Sequence, residues 1–415
     1  MKKWLTTICI LISFLNSYSQ TLSSPESVEW DQTNNRWLIA NTGNGTIVTR
    51  SLTGTLGAFV SGIPSGPYGI EILGDVVYAC EGAFIRGYNL STGANVFTLN
   101  LGAGFLNGLT TDGVSFLYAT DFSGKKIFKI NTIDTTFSII ASGLLKTPNG
   151  IIYDEQNNRC VYVTWGANAP IMGIDLSTFT VSTLLATTLS NCDGITRDSC
   201  GNYYVTAWGN NKLNKFRNSL TGTHTIIPGT LSNPADIDCK FGESEDVVGI
   251  SNTSNSTLLF TNLAKPQAVI SLSGNILSTS AIFETYQWYV NNILIVGAIS
   301  QNLVLDAVGE YYCLITQGGC NAVSNTVGFN LSNQSFNDIS LLAFPNPSKS
   351  KITIPYFGEN KISFSVLNML GQEVLNGTLS EKNDSDISIV DLKSGSYFLN
   401  LHYNNQTKTI KFIKD

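Results

Sequence analysis

A short polar motif returns six times in the first two-thirds of this chain, and this repeat constrains the fold more than any other feature. Its central residues recur every 39 to 44 residues, at Glu26, Tyr68, Asn107, Asn149, Asp193 and Ala235. Roughly ten residues after each copy comes a second run of alternating apolar residues, as in Phe116 to Asp121, which is typical of a half-buried β-strand. A period of this length accommodates about four short strands with their turns.

Such a unit cannot bury both faces of its sheet alone, so neighbouring units must cover them. Six units without capping segments favour a closed ring, a β-propeller, over an open solenoid. We therefore predict an all-β chain with a six-bladed β-propeller over residues 20–264 and two small β-sandwich domains after it. The last of the six units shows only three clear strands before Lys265.

The charge of the chain bears on its partners. Only 13% of the 415 residues are charged and the net charge is −6, which argues against a nucleic-acid partner. The two histidines, His224 in a turn between two units and His402 near the C-terminus, are expected to be surface residues and not members of a catalytic triad or a zinc site.

Residues 1–19 are predicted to be a signal peptide. Lys2 and Lys3 precede the apolar run Trp4 to Phe14, and Ser17-Tyr18-Ser19 offers small residues for cleavage before Gln20. Because the run is too short for a permanent bilayer anchor, we expect a mature chain without a transmembrane anchor.

Seven cysteines remain after the signal peptide, so at least one is unpaired in an oxidising compartment. The two close pairs, Cys192/Cys200 and Cys313/Cys320, are the predicted disulfides, because neither spacing resembles a zinc knuckle with partner ligands.

Residues 267–332 form a separate segment. Trp288 lies on one predicted strand, and Tyr311 stands two residues before Cys313 on a later one, a pattern typical of an immunoglobulin-like sandwich. The upstream cysteine of that pattern is absent, with Ser271 and Ser273 in its neighbourhood. We predict a divergent immunoglobulin-like β-sandwich that serves as a spacer.

Residues 340–415 carry the most specific motifs of the chain. These are Phe344-Pro345-Asn346-Pro347, Leu367 to Val374, Leu392 to Leu399 and Lys408 to Lys414. In this order they closely resemble the C-terminal sorting domain of type IX secretion substrates. The resemblance implies a small β-sandwich recognised by the type IX secretion machinery, and a protein that is secreted or attached to the cell surface. By themselves, the residues show only alternating strands and a basic last strand.

The repeat also predicts a site in the propeller channel. Innermost propeller strands run along the central axis, so residues at one repeat position form a ring at one mouth. Here the carboxylates of Glu26 and Asp193 would meet the carboxamides of Asn107 and Asn149, and such oxygen ligands suit Ca²⁺, Mg²⁺ or Mn²⁺. In the alternative interpretation, Asn-Gly and Asp-Gly only make the tight turn that enters each inner strand.

The same positions resemble the gluconolactonase and regucalcin family over residues 22–262. By that resemblance Glu26, Asn149 and Asp193 are metal ligands, Asp193 is also the proposed general base, and Asn107 contacts substrate. Phe105 stands where the family has an arginine. The repeat motif alone is shared with NHL-type and other non-enzymatic propellers.

Trp165 and Trp208 end the second strands of adjacent units, with Glu81 and Asp121 predicted at the matching places of two other units. Adjacent tryptophans at a channel mouth could stack on a sugar ring or an aromatic ligand. Alternatively they pack between the blades.

Two function classes remain open at this stage. The first is a secreted or cell-surface propeller that binds a glycan, a small molecule or a protein at the channel mouth, with a divalent ion at most structural. The second is a metal-dependent lactonase-type hydrolase, in which the ion polarises the ester carbonyl and Asp193 activates a water. The fold alone does not choose between them.

Overall fold

The computed structural model describes residues 20–330, 343–354, 362–379, 386–403 and 406–415. The predicted signal peptide, residues 1–19, lies outside these ranges. The chain divides into two compact units, Met1–Val304 with Tyr311–Val327 and Leu305–Glu310 with Gly328–Asp415. Regular structure in the described residues is β apart from one 3-10 turn at Glu155–Asn157, which confirms the all-β prediction.

Residues 25–264 form six consecutive antiparallel sheets, in which neighbouring strands follow one another along the chain. The first sheet contains β1 (Pro25–Asp31), β2 (Arg36–Asn41), β3 (Thr46–Ser51) and β4 (Leu56–Val60). The second contains β5 (Ile70–Leu73), β6 (Val76–Glu81), β7 (Phe84–Asn89) and β8 (Asn95–Asn100). The third contains β9 (Leu106–Thr111), β10 (Phe116–Asp121), β11 (Lys126–Asn131) and β12 (Thr136–Ala141).

The remaining three sheets follow the same plan. The fourth contains β13 (Thr147–Asp154), β14 (Arg159–Trp165), β15 (Ile171–Asp175) and β16 (Val181–Leu185). The fifth contains β17 (Cys192–Arg197), β18 (Tyr203–Ala207), β19 (Lys212–Phe216) and β20 (Thr225–Ile227). The sixth has three strands, β21 (Pro234–Lys240), β22 (Glu245–Asn252) and β23 (Thr257–Ala264).

The first strand of each sheet lies innermost and packs against the first strands of its two neighbours. β9 contacts β5 and β13, β17 contacts β13 and β21, and β1 contacts both β5 and β21. The first and sixth sheets therefore meet, and the Ser251 hydroxyl donates to the Glu26 carbonyl across this junction (2.9 Å). Radial sheets around a closed ring of inner strands define a β-propeller.

Apolar side chains from the second strands of neighbouring sheets fill the space between those sheets. Leu38 and Ala40 on β2 share one buried cluster with Val77 and Ala79 on β6. Each sheet thus covers a face that its neighbour cannot bury alone, as the repeat predicts.

Glycines in the repeated motif allow the innermost strands to approach closely. A Cβ atom on Gly108 would lie 2.5 Å from the Asn149 carbonyl oxygen, and one on Gly150 would lie 2.4 Å from that of Asp193. Both glycines lie inside strands and have no positive φ. The interpretation of these dipeptides as tight turns is therefore wrong, and close backbone approach is the physical reason for the glycine.

Residues 270–329 add two small antiparallel sheets. One contains β24 (Ile270–Ser273), β25 (Ile276–Thr279) and β28 (Asn302–Val304); the other contains β26 (Thr285–Val290), β27 (Ile293–Leu294), β29 (Gly309–Gln317) and β30 (Cys320–Val323), followed by β31 (Val327–Phe329). Trp288 is fully buried and lies opposite Cys313 on the neighbouring strand. Its indole nitrogen donates to the Ser300 carbonyl oxygen at 2.8 Å.

Both predicted disulfides are wrong. Cys200 is bonded to Cys320, 120 residues away, while Cys192 and Cys313 are buried and not disulfide-bonded. Cys192 begins β17, whereas Cys200 lies in the turn after that strand, so the strand holds the two apart. Closeness in sequence therefore misleads, because an extended strand separates residues that a turn would bring together.

The disulfide joins the fifth propeller sheet to β30, and an ion pair lies near the same junction. The Arg217 guanidinium donates two hydrogen bonds to the Glu284 carboxylate, at 2.7 and 3.0 Å. The geometry is bidentate, which fixes orientation as well as distance.

The second unit has its own core. Its two-stranded sheet pairs β32 (Lys351–Thr353) with β35 (Asp386–Ser388), and its four-stranded sheet has the order β34 (Glu373–Leu379), β33 (Ile362–Leu367), β36 (Gly395–Tyr403) and β37 (Gln406–Lys414). Ile352, Val366 and Phe412 are fully buried in one cluster. Residues from both sheets thus share a core, as in a small β-sandwich.

Gly150→Ala tests the close approach of the innermost strands. The new methyl group would collide with a backbone carbonyl that cannot rotate away, so we expect the propeller to lose about 3 kcal/mol of unfolding free energy. Gly57→Ala is the control, because its Cβ would meet only the Thr49 hydroxyl, a side-chain atom. Equal midpoints of denaturant unfolding for the two variants would contradict this account.

Candidate functional site

The innermost strands carry the predicted ring residues towards the channel axis. Glu26, Asn107, Asn149 and Asp193 are 7%, 8%, 1% and 5% exposed, and they come from four different sheets. At each of these four residues the pairing of the innermost strand with the second strand shifts register. A bulge of this kind re-aims a side chain, and here it occurs where the polar side chains lie.

Three of these ring residues carry buried oxygen atoms without a hydrogen-bond partner. They are Oε2 of Glu26, Oδ1 of Asn149 and Oδ1 of Asp193. The Asn149 amide nitrogen is engaged, because it donates to the Cys192 carbonyl oxygen at 3.2 Å. An unpartnered buried polar atom costs about 1–3 kcal/mol, so these three oxygens leave acceptor capacity that a water, a cation or a ligand group could take up.

Burial is the main cause that raises the pKa of both ring carboxyls, Glu26 and Asp193. Burial raises the pKa of Asp193 to about 8, the nearby Asp236 carboxylate adds to the shift, and Trp208 and Asn149 oppose it. Burial, then Asp193 and Asp236, also raise the pKa of Glu26 well above its usual value. Without a counter-ion, the ring therefore disfavours the ionised form of these carboxyls at neutral pH.

Asp236 belongs to this cluster and was missed by the sequence reasoning. Burial raises its pKa to about 7, against the lowering effect of the Ile237 amide and the Ser27 hydroxyl. The hydroxyl donates to its Oδ2 at 3.1 Å. The available signal was the break in the motif, because Asp236 takes the place that Gly150 and its equivalents hold in other repeats.

A second acidic group, formed by Glu29, Glu71 and Asp238, lies three residues further along three innermost strands. Burial and the neighbouring carboxylates raise the pKa of Glu29 and Glu71, whereas burial alone raises the pKa of Asp238. Backbone amides meet two of the three: Trp30 donates to Asp238 at 2.8 Å and Ile72 to Glu29 at 3.2 Å. The channel is thus acidic beyond the ring position.

The strand register determines which side chains stand beside the two tryptophans. Leu109, Ile151 and Ile195 hold equivalent positions on three innermost strands, and each has a cross-strand partner on the second strand of its sheet. Three residues after these partners along the chain lie Phe122, Trp165 and Trp208. The corresponding residues of the other sheets are Thr42, Gly82 and Thr253. Trp165 and Trp208 are therefore equivalent, as predicted, and Phe122 is a third member that the sequence reasoning did not find.

The predicted matching places of Glu81 and Asp121 are wrong by one residue. Glu81 accepts a hydrogen bond from the Tyr88 hydroxyl at 2.5 Å and pairs with Arg86 at 3.2 Å. Asp121 accepts the backbone amides of Gly104 and Phe105 at 3.0 Å. Both carboxylates are buried and bind groups of the propeller itself. The alternating pattern alone therefore predicts the register of these two strands incorrectly by one residue.

Five half-buried rings form a continuous aromatic arc across the second to fifth sheets. Its members are Tyr68, Phe105, Phe122, Trp165 and Trp208. Neighbouring ring centroids along this order are 4.6, 5.8, 5.8 and 5.2 Å apart, each pair in edge-to-face geometry. Tyr68 is itself a ring-position residue and the Trp208 indole lies beside Asp193, so the arc borders the acidic site.

The C-terminal residues 342–415 match the family described as the secretion system C-terminal sorting domain. This confirms the predicted sorting domain and places the protein on the type IX export route, to the cell surface or the extracellular space. Within the described ranges, no helix is long and apolar enough to cross a membrane.

The propeller resembles many solved structures at low identity. A gluconolactonase from Xanthomonas campestris is 13% identical, with 59% of this chain and 88% of that chain covered and a TM-score of 0.49. A virginiamycin B lyase from Staphylococcus aureus is 16% identical, with 63% and 94% covered and a TM-score of 0.44. A chain of a nidogen/laminin complex is 17% identical, with 53% and 90% covered and a TM-score of 0.45.

A search of curated protein sequences finds no match to the chain. Folds of this kind host many functions, so the residues of the channel, and not the fold, determine which ligand binds.

The raised pKa values predict how stability depends on pH in the metal-free protein. The folded state holds protons on Asp193 and Asp236 up to about pH 8 and 7, while an unfolded aspartate loses its proton near 3.8. The unfolded state thus binds fewer protons between about pH 4 and 8, and stability falls as pH rises through this window. In chelator, thermal unfolding of the propeller should occur at a higher temperature at pH 5.5 than at pH 8.

Asp236→Asn should reduce this pH dependence, because it removes one of the mutually repelling charges. Asp75→Asn, at an exposed turn, should leave it unchanged. A melting temperature that rises from pH 5.5 to pH 8 in the wild-type protein would refute the raised pKa values of Asp193 and Asp236.

Proposed function

We propose that this protein is an exported six-bladed β-propeller whose channel binds a divalent cation, Ca²⁺, Mg²⁺ or Mn²⁺, through Glu26, Asn149 and Asp193. A glycan, small-molecule or protein ligand then binds at the mouth above it. In this proposal residues 1–19 are a signal peptide, residues 267–332 form an immunoglobulin-like spacer, and the type IX machinery recognises the C-terminal domain.

The three unpartnered buried oxygens of Glu26, Asn149 and Asp193 support the cation most strongly. They are two carboxylates and one carboxamide, the hard ligands that these cations prefer. The pKa of both carboxyls is raised by burial and, to a smaller extent, by repulsion from neighbouring carboxylates, and a cation would offset both effects. With three ligands from three different sheets, the cation would also link those sheets.

The residues around the ring have distinct roles in this proposal. The Cys192 carbonyl holds the Asn149 amide through its nitrogen, so that the amide oxygen remains available. Asn107, Trp165 and Trp208 are proposed to contact the ligand. A bound cation supplies Lewis acidity that would polarise a carbonyl group of that ligand.

A lactonase-type hydrolase is the second candidate function. The supporting observation is Asp193, whose pKa of about 8 lies close to the range in which a general base works well. In the cation-loaded protein the Asp193 carboxylate would both hold the cation and accept a proton from a water that attacks an ester carbonyl. Release of the hydroxy acid from a lactone by the cation-loaded protein would distinguish this hydrolase from a pure binding module.

Cation binding is expected to stabilise the propeller. At a concentration 100-fold above the dissociation constant, binding adds about 2.7 kcal/mol, which corresponds to roughly 5 °C or more in melting temperature. Differential scanning calorimetry with millimolar Ca²⁺, Mg²⁺ or Mn²⁺ at pH 7.5 measures this shift. Asp193→Ala and Glu26→Gln should each reduce the shift, because each removes a ligand oxygen.

The matched control is Asp75→Asn, which removes one carboxylate from an exposed turn. It should retain the full cation-induced shift. If none of the three cations raises the melting temperature of the wild-type protein, the channel has no functional metal site and the cation is withdrawn from the proposal.

The sorting domain is expected to be essential for export. β37 pairs with β36 along its length and places Phe412 in the core of the second unit. Deletion of residues 408–415 removes most of this strand, so the protein should accumulate in the periplasm, whereas Lys411→Ala, at an exposed position, should be exported. Immunoblots of cell fractions measure both, and normal secretion of the truncated chain would argue against recognition through this strand.

A further inference from the structure

The fold does not require the aromatic arc at the channel mouth. At the place held by Phe122, Trp165 and Trp208, the other three sheets have Thr42, Gly82 and Thr253. Since half of the sheets pack with small side chains there, inter-sheet packing alone does not explain three adjacent large rings. Edge-to-face contacts with half-buried faces leave ring surface available to a ligand.

On the opposite side of the mouth, two threonine hydroxyls already donate to backbone carbonyls. The Thr42 hydroxyl donates to the Ser24 carbonyl oxygen at 2.9 Å, and the Thr253 hydroxyl donates to that of Pro25 at 3.0 Å. These two side chains are therefore committed to the backbone. Neither hydroxyl therefore has a proton left to donate to a ligand on this side of the mouth.

One donor beside the acidic ring makes no well-formed hydrogen bond. The buried indole nitrogen of Trp208 has no partner at hydrogen-bond geometry, and its longer contact with the Asp193 carboxylate lowers the pKa of Asp193. An indole N–H can only donate. The site thus combines apolar ring faces with one donor next to the proposed cation ligands.

We propose that the channel mouth binds a small aromatic carbonyl compound, with its flat ring on the aromatic arc and its carbonyl oxygen directed down the channel. The Trp208 N–H and the cation would then both face that oxygen. This inference rests on the proposed function, because it specifies the ligand class of the same channel.

Three probes that resist hydrolysis separate the alternatives. 1-Tetralone carries an aromatic ring and a carbonyl, cyclohexanone has the carbonyl without the aromatic ring, and glucono-δ-lactam has a carbonyl on a polyhydroxylated ring. Isothermal titration calorimetry on the mature full-length protein with Mn²⁺ gives the affinity for each. We expect 1-tetralone to bind at least tenfold more tightly than either of the other two.

Phe122→Thr and Trp165→Thr introduce the residue that two other sheets already have at the equivalent position, so we expect both variants to fold. Each should weaken 1-tetralone binding about tenfold while retaining the Mn²⁺-induced thermal shift. Phe137→Thr, on the outer strand β12, is the control and should change neither quantity.

Equal or tighter binding of glucono-δ-lactam, or no binding of 1-tetralone to a protein that still shows the Mn²⁺ shift, overturns the aromatic-ligand inference alone. Loss of the Mn²⁺ shift in the wild-type protein is the separate result that refutes the proposed cation. If 1-tetralone binding is weakened by the Phe122→Thr and Trp165→Thr variants but does not depend on Mn²⁺, the aromatic site is supported and the metal is not part of it.

Discussion

The close approach of the innermost strands is the constraint on which the rest of the structure depends. Gly108 and Gly150 leave room for the carbonyl oxygens of the next sheet at 2.5 and 2.4 Å from where a Cβ would stand. This contact narrows the ring, and the bulge at the same position turns the preceding side chain inwards. One backbone feature thus sets both the closure of the propeller and the composition of its channel.

A narrow channel concentrates charge. Glu26, Asp193 and Asp236 converge with their pKa values raised, and each of the first two keeps a buried oxygen without a partner. Buried carboxyls of this kind destabilise the protein when no cation is bound, and this destabilisation is expected of a site that binds a cation. The aromatic arc then borders this charged region with apolar surface, so that a ligand would meet two different chemistries within one mouth.

The sequence predicted the fold class and four of the buried channel residues because both follow from a repeat that is visible in a single chain. It did not predict Asp236 or Phe122, since the first breaks the motif and the second depends on a strand register that alternation alone leaves uncertain by one residue. The disulfide between Cys200 and Cys320 was equally out of reach. It depends on where a propeller turn lies in space, which no local spacing encodes.

The central claim is that a divalent cation binds between the unpartnered oxygens of the ring. A crystal of the mature protein grown with Mn²⁺ and measured near the manganese absorption edge tests it most directly. The account predicts an anomalous peak within about 2.6 Å of the side-chain oxygens of Glu26, Asn149 and Asp193. A channel without a peak, or a peak only beside Glu29, Glu71 and Asp238, would contradict it.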